Sequence, residues 1–320
     1  MTMHHADKVL ATVESKRSAA RSRIAASWRR SVERHGLDPA ALRRHDVATE
    51  SELNLSREGS ERLMRVAASR LDELFTLVGS SGCTVVLTDT DGMILDQRSN
   101  LADEDNFTEW GLLPGANWSE RAEGTNGIGT CLAEERRVII DRDQHFFPKN
   151  IAMSCIDSPI FGAEGELIGA LDVSSARADQ TEAFNNLISA MVDQTARQIE
   201  TENFRLTYAS ERVVLAQEAS ADHSALVAIN SDDCIVGATR AARKLFGWKS
   251  NGTLKPVAAT DLFAADEGLR GFSRAEKAAV VKAITRANGN ISVAAKALGV
   301  GRATLYRRMN KLGLTRSGSF

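Results

Sequence analysis

The run Asn290-Ile-Ser-Val-Ala-Ala-Lys-Ala-Leu-Gly-Val-Gly-Arg-Ala-Thr-Leu-Tyr-Arg-Arg-Met309 reads as a short helix, a Gly-Val-Gly turn and a second, cationic helix. Leu305, Met309 and Leu312 recur at i, i+4 and i+7, which makes one apolar stripe. Arg302, Thr304, Arg307, Arg308 and Lys311 fall off that stripe and are expected to face outward. Gly299 stands where a left-handed residue ends a helix with least strain, and Gly301 can cap the helix that follows. The first helix, about residues 291–298, is small and apolar through Val293, Ala294, Ala297 and Leu298. A supporting helix precedes it. Ser273-Arg-Ala-Glu276 reads as a capping box, Val280, Val281, Ile284 and Ala287 follow at helical spacing, and Asn288-Gly289 stops the run. Three helices with an exposed cationic third helix fit the helix-turn-helix dock on duplex DNA.

Charge sharpens that expectation. Residues 273–320 hold ten Lys/Arg and one acidic residue, Glu276, in a 320-residue chain of net charge −2. Residues 1–47 carry ten Lys/Arg against five Asp/Glu, so the long middle is acidic. A basic carboxyl end between an acidic body and solvent is suited to a polyanion; the amino-terminal charges read as solvated helix faces. No apolar run is long enough to span a membrane, and the first thirty residues lack the apolar core of a signal peptide. Cys83, Cys131, Cys155 and Cys234 are scattered, with no Cys-x-x-Cys pair, which argues against a disulfide framework or a zinc ribbon. The expected setting is the bacterial cytoplasm, at the nucleoid.

Residues 275–314 resemble the carboxy-terminal DNA-binding domain of Fis, the factor for inversion stimulation, which also ends many bacterial enhancer-binding activators. The resemblance runs from Asn288 to Met309 nearly without interruption. It implies an all-α helix-turn-helix that binds double-stranded DNA as a homodimer, with half-sites about 34 Å apart.

The body reads differently. Asp7–His35 reads as helix, ended at Gly36-Leu-Asp-Pro39. A second helix, Ser60–Val78, carries Leu63, Val66, Ala67, Leu71, Leu74 and Leu77 in phase. Cys83–Thr88, the turn Asp89-Thr-Asp-Gly92 and Met93–Gln97 make a hairpin. Val138–Ile140, Ser154–Phe161, the turn Gly162–Gly165 and Leu167–Val173 supply further strands. A long helix, Gln180–Leu206, has the apolar line Phe184, Leu187, Ile188, Met191, Thr195, Ile199 and Leu206. The fold class is therefore α+β and multidomain: an antiparallel sheet with flanking helices, then an all-α tail.

Gly124-Thr-Asn-Gly-Ile-Gly-Thr-Cys-Leu-Ala-Glu134, His145-Phe-Phe, Ser154-Cys-Ile-Asp-Ser-Pro-Ile-Phe161 and Gly165-Glu-Leu-Ile-Gly-Ala-Leu-Asp-Val-Ser174 resemble the GAF sensor domain of the AcoR-like acetoin-catabolism regulators. Ser27-Trp-Arg-Arg-Ser-Val-Glu-Arg-His-Gly-Leu-Asp-Pro39 is similar to their leader. Ala225–Asn230, Cys234–Ala238 and the helix Thr239–Phe246 resemble the start of a PAS domain, in a short, truncated form. The resulting expectation is a helical leader over 1–59, a GAF-like sensor over 60–206, a linker with the PAS-like segment over 207–270, and a Fis-type helix-turn-helix over 271–320. Ser317–Phe320 reads as a disordered tail.

One departure from that family matters. Its members carry a central AAA+ ATPase that acts on sigma-54 polymerase, and such a module needs a Gly-x-x-x-x-Gly-Lys-[Ser/Thr] loop to cradle phosphates. This sequence has no Gly-Lys pair, and the family's Gly-Ala-Phe-Thr-Gly-Ala loop is missing too. Transcriptional effects would then come from DNA occupancy, bending, or contact with RNA polymerase or another regulator.

The candidate DNA-binding residues are Arg302, Thr304, Tyr306, Arg307, Arg308 and Lys311. Arginine suits the bidentate guanine edge, so Arg302 and Arg307 are assigned to bases and Thr304, Arg308 and Lys311 to the backbone. Tyr306 can equally pack on the core edge. Candidate ligand-binding residues in the sensor are Phe107, Trp110, Trp118, Cys131, His145, Phe147 and Cys155, with Phe146 beside them, since effector pockets are apolar with a few aimed polar groups. No catalytic residue, metal site or cofactor is expected beyond an unidentified small-molecule effector. The leading reading is a regulator responding to a small molecule or redox change. An architectural DNA-bending protein is the alternative, and a cysteine-based reductase of the GAF type is a third.

Overall fold

The computed structural model describes residues 4–15, 22–175, 177, 181–216, 224–263 and 272–314. The tail expected to be disordered, Ser317–Phe320, lies outside them. The chain divides into two compact units, Met1–Ala259 and Thr260–Phe320.

The first unit opens with helices α1 (His5–Glu14) and α2 (Arg23–Arg29), the latter passing into a π-turn over Arg30–Arg34. The single helix expected over Asp7–His35 is interrupted among the described residues. The backbone is extended at Ser15 and again at Ser22, whose hydroxyl caps α2 at the Ala25 N–H. Residues 16–21 fall outside the described set. Helix α3 (Glu50–Gly59) was not anticipated, although Thr49-x-x-Glu52 is a capping box whose two reciprocal bonds both form. Helix α4 (Glu61–Val78) follows directly.

A five-stranded antiparallel sheet is the centre of this unit. Its strands are β1 (Cys83–Thr88), β2 (Ile94–Arg98), β3 (Val138–Asp141), β4 (Ser154–Phe161) and β5 (Leu167–Ser175), in the order β2-β1-β5-β4-β3. Short helices α5 (Glu104–Glu109), α6 (Glu120–Glu123) and α7 (Gly127–Glu134) lie between β2 and β3, and α8 (Glu182–Thr207) follows β5. Because strand side chains alternate, the register sorts the residues. Val85, Leu87, Ile156, Leu171 and Val173 point to one face and pack against Leu63, Val66, Leu71 and Leu74 of α4 and Ile188, Val192 and Ile199 of α8. Val86, Cys155 and Ala170 point to the other, where Phe107, Trp118, Ile128 and Cys131 cover them. With both faces covered, β1 is buried at every position.

The expected helical stripes overreach at their margins. Leu77 is 65 % exposed, Leu187 60 % and Leu206 49 %. They flank the stripes and miss the sheet, which a periodicity count cannot separate from membership.

A second antiparallel sheet completes the unit: β6 (Arg212–Leu215), β7 (Leu226–Ile229), β8 (Cys234–Ala238) and β9 (Val257–Ala258) in that order, with α9 (Arg240–Leu245) after β8. Arg240 ties it to the first sheet. Its guanidinium sits 4.0 Å over the Phe161 ring, donates to the Gly165 carbonyl at 3.0 Å, and pairs with Glu135 at 2.6 Å.

The second unit holds α10 (Phe272–Arg286), α11 (Ile291–Ala297) and α12 (Arg302–Lys311). Asn288 and Gly289 both take left-handed backbone (φ 49° and 81°), which ends α10 where the sequence predicts. Asn290 caps α11 through Oδ1, accepting from the N–H groups of Ser292 and Val293. Two expectations need correction. Ser273 lies inside α10 and does not precede it, so the capping box is not formed there. On α11 the buried pair is Ala294 and Ala295, while Val293 is 53 % exposed and Ala297 is exposed, because the face packed on the core runs through Ile291, Ala294, Ala295 and Leu298.

Candidate nucleic-acid interface and sensor core

Helices α10, α11 and α12 share a core of their own: Val280, Ala283, Ile284, Ala294, Ala295, Leu305, Met309 and Leu312 are buried together. The predicted stripe on α12 is thus the face that α12 turns inward. At about 100° per residue, Arg307 lies opposite that stripe, Lys311 and Thr304 near it, and Arg302 and Arg308 on the two flanks. Arg302, Arg307, Arg308 and Lys311 are exposed, and Thr304 is half-buried. Tyr306 is half-buried against the core, and Arg302 sits 5.8 Å over its ring. Arg308 carries an ion pair with Glu276 of α10, Nη1 to Oε1 at 3.0 Å. Gly299 adopts φ +65°, so the turn before α12 has the left-handed residue its sequence implies.

The sensor candidates do not form one group. Phe107, Trp118, Cys131 and Cys155 share a core cluster, with Trp110 half-buried against it. Trp118 donates its indole N–H to the Gly111 carbonyl at 2.8 Å and stacks on His45. Phe107 and Trp110 meet edge to face and line a cleft of about 320 Å³ with Asn100 and Asn106. Phe146 and Phe147 belong to a different cluster, packed on Val9, Val13, Trp28 and Leu37 of the amino-terminal helices and the loop after them.

His145 and Cys155 do meet. Burial pulls the imidazole down to a pKa of about 4, so the ring is neutral. Its Nδ1 lies 2.9 Å from the Arg142 carbonyl and must carry the proton, which leaves Nε2 as acceptor, 3.3 Å from the Cys155 sulfur. Burial and the neighbouring carboxyls push both the Cys131 and Cys155 thiols up. A protonated, buried thiol is a poor nucleophile and a poor soft-metal ligand. Among the described residues no group of three His, Cys, Asp or Glu side chains is placed to hold a metal ion.

Sequence reasoning missed the polar groups inside this core. Asp157 and Asp172 face each other across β4 and β5 and are fully buried. Burial raises both carboxyls, Asp172 to about 7, and the Asp172 charge raises Asp157 further. Ser174 donates to Asp172 at 2.8 Å, whereas among the described residues no nitrogen or hydroxyl donor reaches Asp157. The pair therefore holds a proton between its members. Helix α7 starts against it, and a Cβ on Gly127 would run into the Asp157 carboxyl and the Cys155 side chain. A second buried network joins leader to sensor. Arg30 grips Glu120 with two bonds (2.9 and 2.7 Å) and reaches Glu134, and Ser27 donates to Glu120 at 2.6 Å. Burial pushes the Glu123 carboxyl up, but His45 and Lys149 outweigh it and hold it below the ordinary value. Sequence periodicity gave no signal for the leader–sensor pairing, because Ser27 and Arg30 stand about ninety positions from Glu120. Among the described residues no helix is long and apolar enough to cross a membrane.

Comparison with known proteins fits this arrangement. The GAF domain family matches residues 62–202, and the family described as bacterial regulatory protein, Fis family, matches residues 272–312. The acetoin catabolism regulatory protein of Cupriavidus necator is 28 % identical over 71 % of this chain and 34 % of its own length. The acetoin dehydrogenase operon transcriptional activator AcoR of Bacillus subtilis is 27 % identical over 49 % of the chain and 26 % of its own length. The chain thus spans about a third or less of these relatives. A chain from the crystal structure of the Escherichia coli DhaR(N)–DhaL complex superposes with a TM-score of 0.51 at 15 % identity, covering 76 % of this chain and 82 % of that one, a likeness of fold. Residues 203–271, between the two matches, hold the second sheet and α9 where the family resemblance called for an ATPase. The chain joins a GAF domain at residues 62–202 to a Fis-family helix-turn-helix at 272–312 and is related to the acetoin-catabolism regulators.

Proposed function

We propose that this protein is a transcriptional regulator of the bacterial cytoplasm that binds duplex DNA through α12 and answers to a small molecule held by its GAF domain. The observation that carries the reading is the outward face of α12: exposed cations on a helix whose opposite face is locked into a three-helix core. In this reading Arg302 and Arg307 address base edges, and Thr304 and Lys311 hold phosphates. A small molecule is favoured over thiol oxidation as the signal, since Cys131 and Cys155 are buried and protonated. The cleft beside Phe107 and Trp110 is its proposed entry.

One small helix-turn-helix binds weakly, so the acting form is a homodimer. Its proposed seam is the outer face of α8 and α4, a groove of about 920 Å³ lined by Arg70, Arg197 and Arg205 beside Asp193 and Glu202, where Arg70 pairs with Glu202 and Arg197 with Asp193 within the chain and a second copy would meet a surface of mixed charge. The chain lacks a phosphate-cradling loop, so the reading includes no ATP-driven step on sigma-54 polymerase. The domain division is proposed as leader 1–59, sensor 60–206, PAS-like linker 207–270 and DNA-binding 271–320. Selecting duplexes from a randomised pool with the full chain tests the reading. One enriched sequence, lost on Arg307→Ala, is the expected result; a pool recovered unchanged rejects it.

A further inference from the structure

Glu276 is the single acidic residue in the basic segment 273–320. Free of a capping role, it sits on α10 facing α12, with its Oε1 3.0 Å from Arg308 Nη1. Two further observations bear on that pair. Arg308 lies on the flank of α12 that faces α10, about 100° round the helix from Arg307. The space between α10 and α12 at this level is also poorly filled. Ala275, Ala279, Leu298 and Val300 line a groove of about 450 Å³, and Glu276 and Arg308 stand on its wall. Val280 and Leu305 close the inner end of this groove, and on its outer wall, where Ala275 and Ala279 cannot reach across, the ion pair bridges α10 to α12.

We propose that Glu276 and Arg308 are positioning residues of the DNA interface: their ion pair sets the tilt of α12 on α10, and Arg308 is spent inside the domain and not on a phosphate. The inference rests on the DNA-binding reading and refines it by withdrawing one cation from the contact set. An exposed pair of this kind contributes little to folding. Its effect belongs in discrimination, because base contacts depend on helix orientation while phosphate attraction depends mainly on charge.

The test measures the affinity of the full chain for a duplex enriched from a randomised pool and for a shuffled duplex, across a range of salt. Arg308→Gln is expected to lower the ratio of the two affinities by about three- to tenfold while leaving the log–log salt slope unchanged, since no phosphate contact is lost. Arg308→Glu should lower the ratio further, as two acids would then face each other. The reciprocal swap Glu276→Arg with Arg308→Glu should restore the ratio to within about twofold of the parent. A true phosphate contact cannot be rescued by an acid. A salt slope reduced by about 1.8 in Arg308→Gln, one phosphate lost per protomer of the dimer at about 0.9 each, or a swap as impaired as Arg308→Glu alone, overturns the proposal. Circular dichroism and a matched melting midpoint keep a misfolded variant from counting. A parent chain that bound neither duplex would overturn the DNA reading itself, and this inference with it.

Discussion

Single residues carry the sharpest consequences. Gly127 is required by space, because the Asp157 carboxyl and the Cys155 side chain occupy the place of its Cβ. Gly127→Ala should destabilise the first unit by about 1–3 kcal/mol, the usual cost of overpacking a filled core, as read by a urea midpoint. The Asp157–Asp172 pair gives a pH dependence with a definite sign. Both carboxyls titrate higher in the fold than the ~3.9 of a free aspartate, so the native state binds more protons between roughly pH 4 and 7 or above. Their contribution is complete below about pH 4 and is lost as pH rises through the folded values. Buried His145 has the opposite sign below about pH 6.5, since its pKa is depressed. The clean window is therefore pH 6.5 to 8, where the urea midpoint should fall with pH and Asp172→Asn should flatten the fall. An equal slope in that variant would contradict the shared proton. On α12, Arg302→Ala or Arg307→Ala should each cost about 1–3 kcal/mol of specific binding, as for a lost base contact, read by a gel-shift titration.

At the scale of elements, Arg240 is the joint between the two sheets of the first unit. It uses a ring face, a carbonyl and a carboxylate at once. Arg240→Ala should speed amide exchange in β7, β8 and α9 while leaving β1 and β5 protected; no change would show that the second sheet holds its place without it. The elements themselves were largely legible. Cys83–Thr88, Ser154–Phe161 and the long helix ending near Leu206 announce themselves by composition and period, and Asn288-Gly289 and Gly299 by backbone demand. What periodicity cannot show is which edge of a stripe meets the sheet, hence Leu77 and Leu187 in solvent. Nor can it show which face of a short, uniformly small helix packs inward, hence Ala295 buried where Val293 was expected. The sensor interior was least legible. Asp157 and Asp172 look like ordinary strand polars until the β4–β5 register sets them side by side, and Phe147 reads as a pocket lining until Val9 and Trp28 are seen to cover it. On α12, Arg302, Arg307, Arg308 and Lys311 are exposed as their spacing implied, whereas Thr304 is half-buried and Glu276, taken as part of a cap, faces Arg308.

At the scale of the whole molecule, a body of acidic composition that contains the GAF domain is joined to a basic carboxy-terminal unit, and the proposed mode of action rests on where that positive charge is exposed. If two copies act together, sedimentation of the full chain should give a dimer. Leu187→Glu, on the proposed seam, should shift it toward monomer and weaken DNA binding with no change in the melting of the monomer. The most direct test of the central claim is the salt dependence of binding by the full chain to duplex DNA. Six to ten neutralised phosphates per dimer predict a log–log slope of about −5 to −9. A slope near zero, or no binding to any duplex at about 50 mM salt where the phosphate term is strong, would contradict it.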